Sequence, residues 1–169
     1  MKKFLVMVLC VCLIIFNFSS CGLIGLGAIG LVSCIGEAAQ NDEQEFYDLV
    51  YESKELLDIV GDDIYNYWYD CIYYDAYLDS IDYAIACAQE DNADNIEKII
   101  ENDAKIKEKY KDVKDGDCSD EVKDVMQAYN EYYSFVIEVS GSFNTYSASK
   151  ETLKKNLATA LKNLSFELD

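Results

Sequence analysis

Three residue types could do chemistry in this chain: 32 carboxylates, 14 tyrosines and seven cysteines. It has no histidine, no arginine and no proline. Without histidine there is no base for a Ser-His-Asp or Cys-His nucleophile, no usual zinc ligand set and no Glu-x-x-His di-iron motif. Carboxylates alone leave two chemistries. Paired acids hydrolyse glycosides, but in a chain this acidic such pairs can be drawn anywhere, so no pair stands out. Calcium is the other. Asp112, Asp115, Asp117 and Asp120 surround Gly116, yet the spacing lacks the acids at positions 1, 3 and 5 and the glutamate at 12 of an EF-hand loop. They read as solvated turn acids. No metal and no cofactor is expected, and no catalysis.

The tyrosines are concentrated. Seven of them, with Trp68, fall between residues 65 and 83. On a helix Tyr67 and Tyr74 share the apolar seam, while Tyr65, Tyr69, Tyr73, Tyr77 and Tyr83 fan around it. Two readings stand. Trp68, Tyr69, Tyr73 and Tyr77 form a contact surface for a protein or a cell-wall glycan, since aromatic side chains lead interfaces and stack on sugars. Otherwise the rings are wide core and rim residues of a thick bundle, with their hydroxyls reaching water.

Cysteines past residue 34 are Cys71, Cys87 and Cys118. Cys71 and Cys87 lie 16 positions apart on one expected helix, about 24 Å, too far to bridge. With antiparallel neighbours Cys118 returns to the level of Cys71. That disulfide would close a 48-residue loop and stabilise by up to ~4 kcal/mol on chain-entropy grounds. The alternative is thiols packing as small apolar side chains.

The elements that position these residues are helices. Five apolar ladders have the 3-4 spacing of a helix seam. They are Phe46-Leu49-Ser53-Leu56-Val60; Ile64-Tyr67-Cys71-Tyr74-Leu78-Ile81-Ile85-Ala88; Ile96-Ile99-Asp103-Ile106-Tyr110-Val113; Val122-Val125-Tyr129-Tyr132-Val136-Val139; and Leu153-Leu157-Ala160-Leu164. Gly61-Asp62-Asp63 predicts the first stop, and Asp91 to Asp94 the second. Asp115 to Ser119 predicts a third, with Ser119 as N-cap, and Ser140-Gly141-Ser142 a fourth, with Ser147 or Ser149 capping the last helix. Tyr65 to Asp70 alternates as a strand would, but the 3-4 ladder runs through it unbroken. Asp103 is either a buried polar residue that sets register or an exposed one.

Charge is uneven. Residues 37–94 hold 17 acids against Lys54 alone, whereas the last thirty hold three acids and four lysines. The net −18 opposes nucleic acid and anionic headgroups, both of which need clustered basic residues. It leaves cationic partners open, or serves only to keep the protein soluble. Packing of the acidic first two helices against Lys150, Lys154, Lys155 and Lys162 is favoured, though only by ~0.2–1 kcal/mol per exposed pair.

The N-terminus reads as an export leader: Lys2-Lys3, an apolar run from Phe4 to Phe16, then Ser19-Ser20-Cys21. Thirteen apolar residues fit a signal peptide rather than a span of ~20. Ser19-Ser20-Cys21 resembles the lipobox of bacterial lipoproteins. The resemblance implies cleavage after Ser20, diacylglycerol on Cys21, and a body on the extracytoplasmic face of a bacterial membrane. Leu31-Val32-Ser33-Cys34 is similar to the same motif and makes Cys34 the alternative, and a third arrangement retains residues 4–32 as an uncleaved span. The expected organisation is a signal peptide over 1–20, a lipidated apolar tether over 21–41 and a helical domain over 42–169. The expected fold is all-α, an antiparallel bundle of four to five helices. Its expected role is as a membrane-anchored binding or structural module. The rival roles are a cell-wall hydrolase and an extracytoplasmic sensor or accessory subunit.

Overall fold

The structure is a computed structural model that describes the backbone of residues 31–76 and 80–168, with side chains from residue 42. Residues 1–20, Cys21, the Cys34 side chain and Tyr77 lie outside what is described. Five helices and no strand occur among the described residues: α1 Leu31–Tyr73, α2 Ile81–Asp91, α3 Ala93–Val113, α4 Ser119–Ile137 and α5 Phe143–Leu168. The fold is an all-α bundle. None of these helices is long and apolar enough to cross a membrane.

Polar contacts give the register. Down α1, Asp42 meets Lys109, Glu52 meets Asn102 and Lys98, Asp63 meets Asn92, and Tyr67 meets Asp91. Partner numbers fall as α1 numbers rise, so the α2–α3 rod runs antiparallel to α1. Asp58 meets Lys154, Asp62 meets Lys150 and Trp68 meets Tyr146, so α5 is antiparallel to it too. Glu43 with Cys118 and Asp58 with Tyr132 make α4 parallel to α1. The expected attraction between acidic α1 and the lysines of α5 is therefore realised at Lys150 and Lys154.

Each rod contributes a stripe to one core. From α1 come Phe46, Val50, Leu57, Val60, Ile64 and Trp68; from α3, Ile99, Ile106 and Val113. From α4 come Val122, Val125, Tyr129, Tyr132 and Val136; from α5, Tyr146, Leu157, Leu161 and Leu164. The α3 and α4 ladders match the sequence expectation. On α1 the buried stripe is turned by one position, so Leu49 and Leu56 are only half-buried against the core.

The reversals differ from the sequence reading. Gly61 does not end a helix but lies buried inside α1. A Cβ there would stand 3.4 Å from Val136 and 3.6 Å from the Tyr132 hydroxyl, at ordinary van der Waals contact with α4. One glycine costs a helix only ~1 kcal/mol, too little to end one this long. The chain turns instead after Tyr73, inside the ladder expected to be one helix. Asp75 takes the left-handed conformation (φ 51°), which aspartate tolerates better than most residues, and the Ala76 N–H donates to the Asp70 carbonyl at 3.3 Å. Ser80 then caps α2, its hydroxyl accepting the Tyr83 N–H at 3.1 Å. At Asn92 the chain bends rather than reverses. The Asn92 side-chain amide inserts into the helix ladder, donating to the Ala88 carbonyl at 3.0 Å and to Asp63 at 2.8 Å, a recognised cause of kinks.

Two caps also move. The α5 helix begins at Phe143 with Ser142 accepting the Thr145 N–H at 3.3 Å, upstream of the expected Ser147 or Ser149. At α4, Ser119 is the first helical residue and the Cys118 position supplies no side-chain cap. Glu43 of α1 caps it instead, its buried carboxylate accepting the Cys118 N–H at 3.4 Å. Gly116 makes room, because a Cβ there would collide with that carboxylate. A carboxylate at a helix N-terminus satisfies an orphan donor and opposes the dipole. Glu43→Ala is expected to cost about 1–2 kcal/mol, read as a lower urea midpoint at unchanged slope; an unchanged midpoint would refute the capping role. Lastly, the described part of α1 runs from Leu31 and includes residues 31–41.

Candidate functional site

At the C-terminal end of α1 the aromatic side chains line up across the start of α5. Inside, Tyr146 stacks on Phe135 at 4.6 Å and tilts against Trp68 at 5.5 Å. Phe143 is the junction, 5.9 Å from Trp68 and 5.1 Å from Tyr65. Outward, Tyr65 lies 6.1 Å from Tyr69, and Tyr69 lies 4.5 Å from Tyr73 and 6.0 Å from Tyr74. The row thus runs from core to solvent. Tyr69 is half-buried, whereas Tyr73 is 58% and Tyr74 70% exposed. Exposed Ile72 neighbours them on α1. The Tyr69 phenol is pushed above the usual tyrosine value, first by Tyr74, then by slight burial and by Tyr65 and Tyr73.

Of the four residues expected to form a contact surface, this arrangement divides three. Tyr69 and Tyr73 stand in the outer row. Trp68 is 4% exposed and is core, a correction: the turned α1 stripe points its indole at Phe143 and Tyr146 from α5. Tyr77 lies outside the described residues. Sequence reasoning missed Tyr74 and Phe143. Tyr74 was read as seam, and Phe143 as loop because α5 was expected to start later. The Ser142-x-x-Thr145 pair was the available signal for Phe143.

A second cluster lies next to the row, where α1, α4 and α5 meet. Asp58 accepts the Tyr132 hydroxyl at 2.9 Å and the Lys54 ammonium at 2.8 Å, with Lys154 at 3.3 Å. Asp62 pairs with Lys150 and with Lys154. Lys150 is itself buried, and its Nζ lies 4.6 Å from the centre of the Tyr65 ring. Burial works against the Lys54 charge, but its hydrogen bonds to Asp58 and Glu55 outweigh that and its pKa lies above the ordinary lysine value. Burial, reinforced by Asp58, holds the Tyr132 phenol far above its ordinary pKa. Every acid in this cluster is matched by a lysine or a phenol, which makes it an internal clamp rather than a reaction centre.

Asp103 is buried on α3 and holds Lys107 at 2.8 Å, so it is an interior polar residue rather than an exposed one. Among the described residues no group of three or more Cys, Asp or Glu gathers as metal ligands would. An open depression of about 330 Å³ between α4 and α5 is lined by Asp124, Gln127, Glu131, Asn156 and Asn163.

The proposed Cys71–Cys118 disulfide is overturned by α1 itself. Cys118 sits at Glu43, and Cys71 is 28 residues further along the same helix, about 42 Å away. The expectation assumed that the helix carrying Cys71 was followed directly by one ending near Cys118. Cys118 is a thiol pushed up to about 11 by burial and then by Glu43, which leaves it protonated and unreactive at neutral pH.

Compared with protein-family models, with curated proteins and with solved structures, the chain finds no match in any of the three.

Proposed function

We propose that this chain is an exported lipoprotein held at the outer face of a bacterial membrane through Cys21, or alternatively Cys34, and that its bundle is a binding or structural module. The leader and the lipobox-like Ser19-Ser20-Cys21 support the anchor. The observation that carries the binding reading is the outer half of the aromatic row. Tyr73 and Tyr74 are largely exposed to solvent, at the outer edge of the row, and tyrosine is among the residues that dominate interface energies. The partners such a face serves are proteins and cell-wall glycans.

A photo-reactive benzoylphenylalanine in place of Tyr73, in membranes of the native host, tests the module. A discrete cross-linked adduct is expected at Tyr73 and none from the same probe replacing Glu108, an exposed residue on α3. Equal adducts at both positions, or none at either, would refute it. Mass spectrometry of the membrane-extracted protein tests the anchor. The expected N-terminal peptide begins at a diacylglyceryl cysteine; an intact Met1 without lipid would remove that half of the proposal.

A further inference from the structure

We infer that the outer aromatic row receives a lysine- or arginine-bearing segment of another protein. This rests on the binding reading above and adds the chemistry of the partner. Three features point to a cation. First, the row already holds one at its inner end, where Lys150 Nζ stands 4.6 Å from the Tyr65 ring centre. Tyr65, Tyr69, Tyr73 and Tyr74 are one continuous series of rings at 4.5 to 6.1 Å. Their outer members present the same π faces with no cation over them among the described residues.

Second, the stretch of sequence that carries the outer rings is acidic. Between residues 55 and 97 there are twelve carboxylates and no lysine. Asp70 and Asp75 lie within a few residues of Tyr73 and Tyr74, and neither forms an ion pair among the described residues. This field draws basic chains in and turns nucleic acid and anionic lipid away. Third, the two features act together on one kind of ligand. An arginine or lysine stacks its charge on a ring while its neighbours on the same segment meet the carboxylates. A neutral glycan would use the rings and gain nothing from the acids.

The test uses the full chain in non-ionic detergent and a labelled deca-arginine peptide, with chitotetraose as the neutral stacking probe. Fluorescence anisotropy follows the peptide and calorimetry the sugar. In the triple variant Tyr69→Leu, Tyr73→Leu, Tyr74→Leu the apolar area stays and the ring quadrupoles go. Its affinity for deca-arginine is expected to fall about tenfold, while the corresponding triple phenylalanine variant keeps it within about twofold, and circular dichroism shows both still helical. Equal peptide binding by the wild type and the leucine variant would mean that net charge alone attracts the peptide, and the inference fails. If chitotetraose binding depends on the rings and peptide binding does not, the face is a docking site and only the basic partner is wrong. If neither probe's binding depends on the rings, this inference fails together with the binding reading beneath it. Should both triple variants lose their helicity, Asp70→Asn with Asp75→Asn is compared with Glu108→Gln with Asp112→Asn, exposed acids on α3: equal weakening of peptide binding by the two pairs overturns the proposal, and a severalfold larger loss from the first pair sustains it.

Discussion

Above pH 10 the bundle is expected to lose stability at up to about 4 kcal/mol per pH unit. The cause is three phenols. Tyr129, Tyr132 and Tyr146 are fully buried. Burial raises each pKa well above the ordinary tyrosine value, reinforced by Asp103, Asp58 and Asp62 respectively. In the unfolded chain all three titrate near 10. Below that pH both states hold the protons and nothing changes. Above it the unfolded state releases up to three protons that the folded state keeps, so stability falls as pH rises. Each proton contributes about 1.4 kcal/mol per pH unit. Lys54, whose pKa is also raised, works in the same direction. Urea unfolding at pH 9, 10.5 and 11.5 reads the slope, and absorbance at 295 nm should show exposed tyrosines ionising first and the buried ones only as helicity is lost. Tyr132→Phe should reduce the slope by about a third. A single ionisation step near pH 10 with the helices intact would show that the three phenols are not buried as described.

Replacing Asp58 by alanine is expected to cost about 3 kcal/mol, a fall of about 10 °C in Tm. Its carboxylate is 14% exposed and neutralises Lys54, which is 12% exposed, while accepting the Tyr132 hydroxyl. Removal leaves the buried Tyr132 phenol without its acceptor and the largely desolvated Lys54 ammonium with Glu55 alone, and an orphaned buried group costs more than its bond was worth. Asp58→Asn should cost less, because its carbonyl oxygen can still accept from Tyr132. A double-mutant cycle with Tyr132→Phe should return a coupling of about 1 kcal/mol. Full additivity would mean that the two side chains do not interact.

The periodicity in the sequence made the helices legible, and for α3 and α4 it also made the buried side legible. What it hid was where the chain reverses. From Ile64 to Ala88 the 3-4 ladder has no break and no glycine or proline, so nothing local marks the turn after Tyr73. The turn is placed by distant contacts, Asn92 to Asp63 and Tyr67 to Asp91, which become visible only when two rods lie side by side. Gly61 misled in the opposite sense, because a lone glycine weakens a long helix without ending it. The aromatic concentration marked where the row of rings lies. It did not separate Trp68 from Tyr73, since which ring is buried depends on where Phe143 and Tyr146 arrive from α5.

The 43 residues of α1 make a mast about 65 Å tall. Phenols Tyr69 and Tyr73 ride at its top, and Leu31 stands at its foot. The two ends are some eight Debye lengths apart at physiological ionic strength. Charge at the foot is screened out long before that height. A ligand at the masthead would therefore meet only the charges gathered there, whatever surrounds the other end.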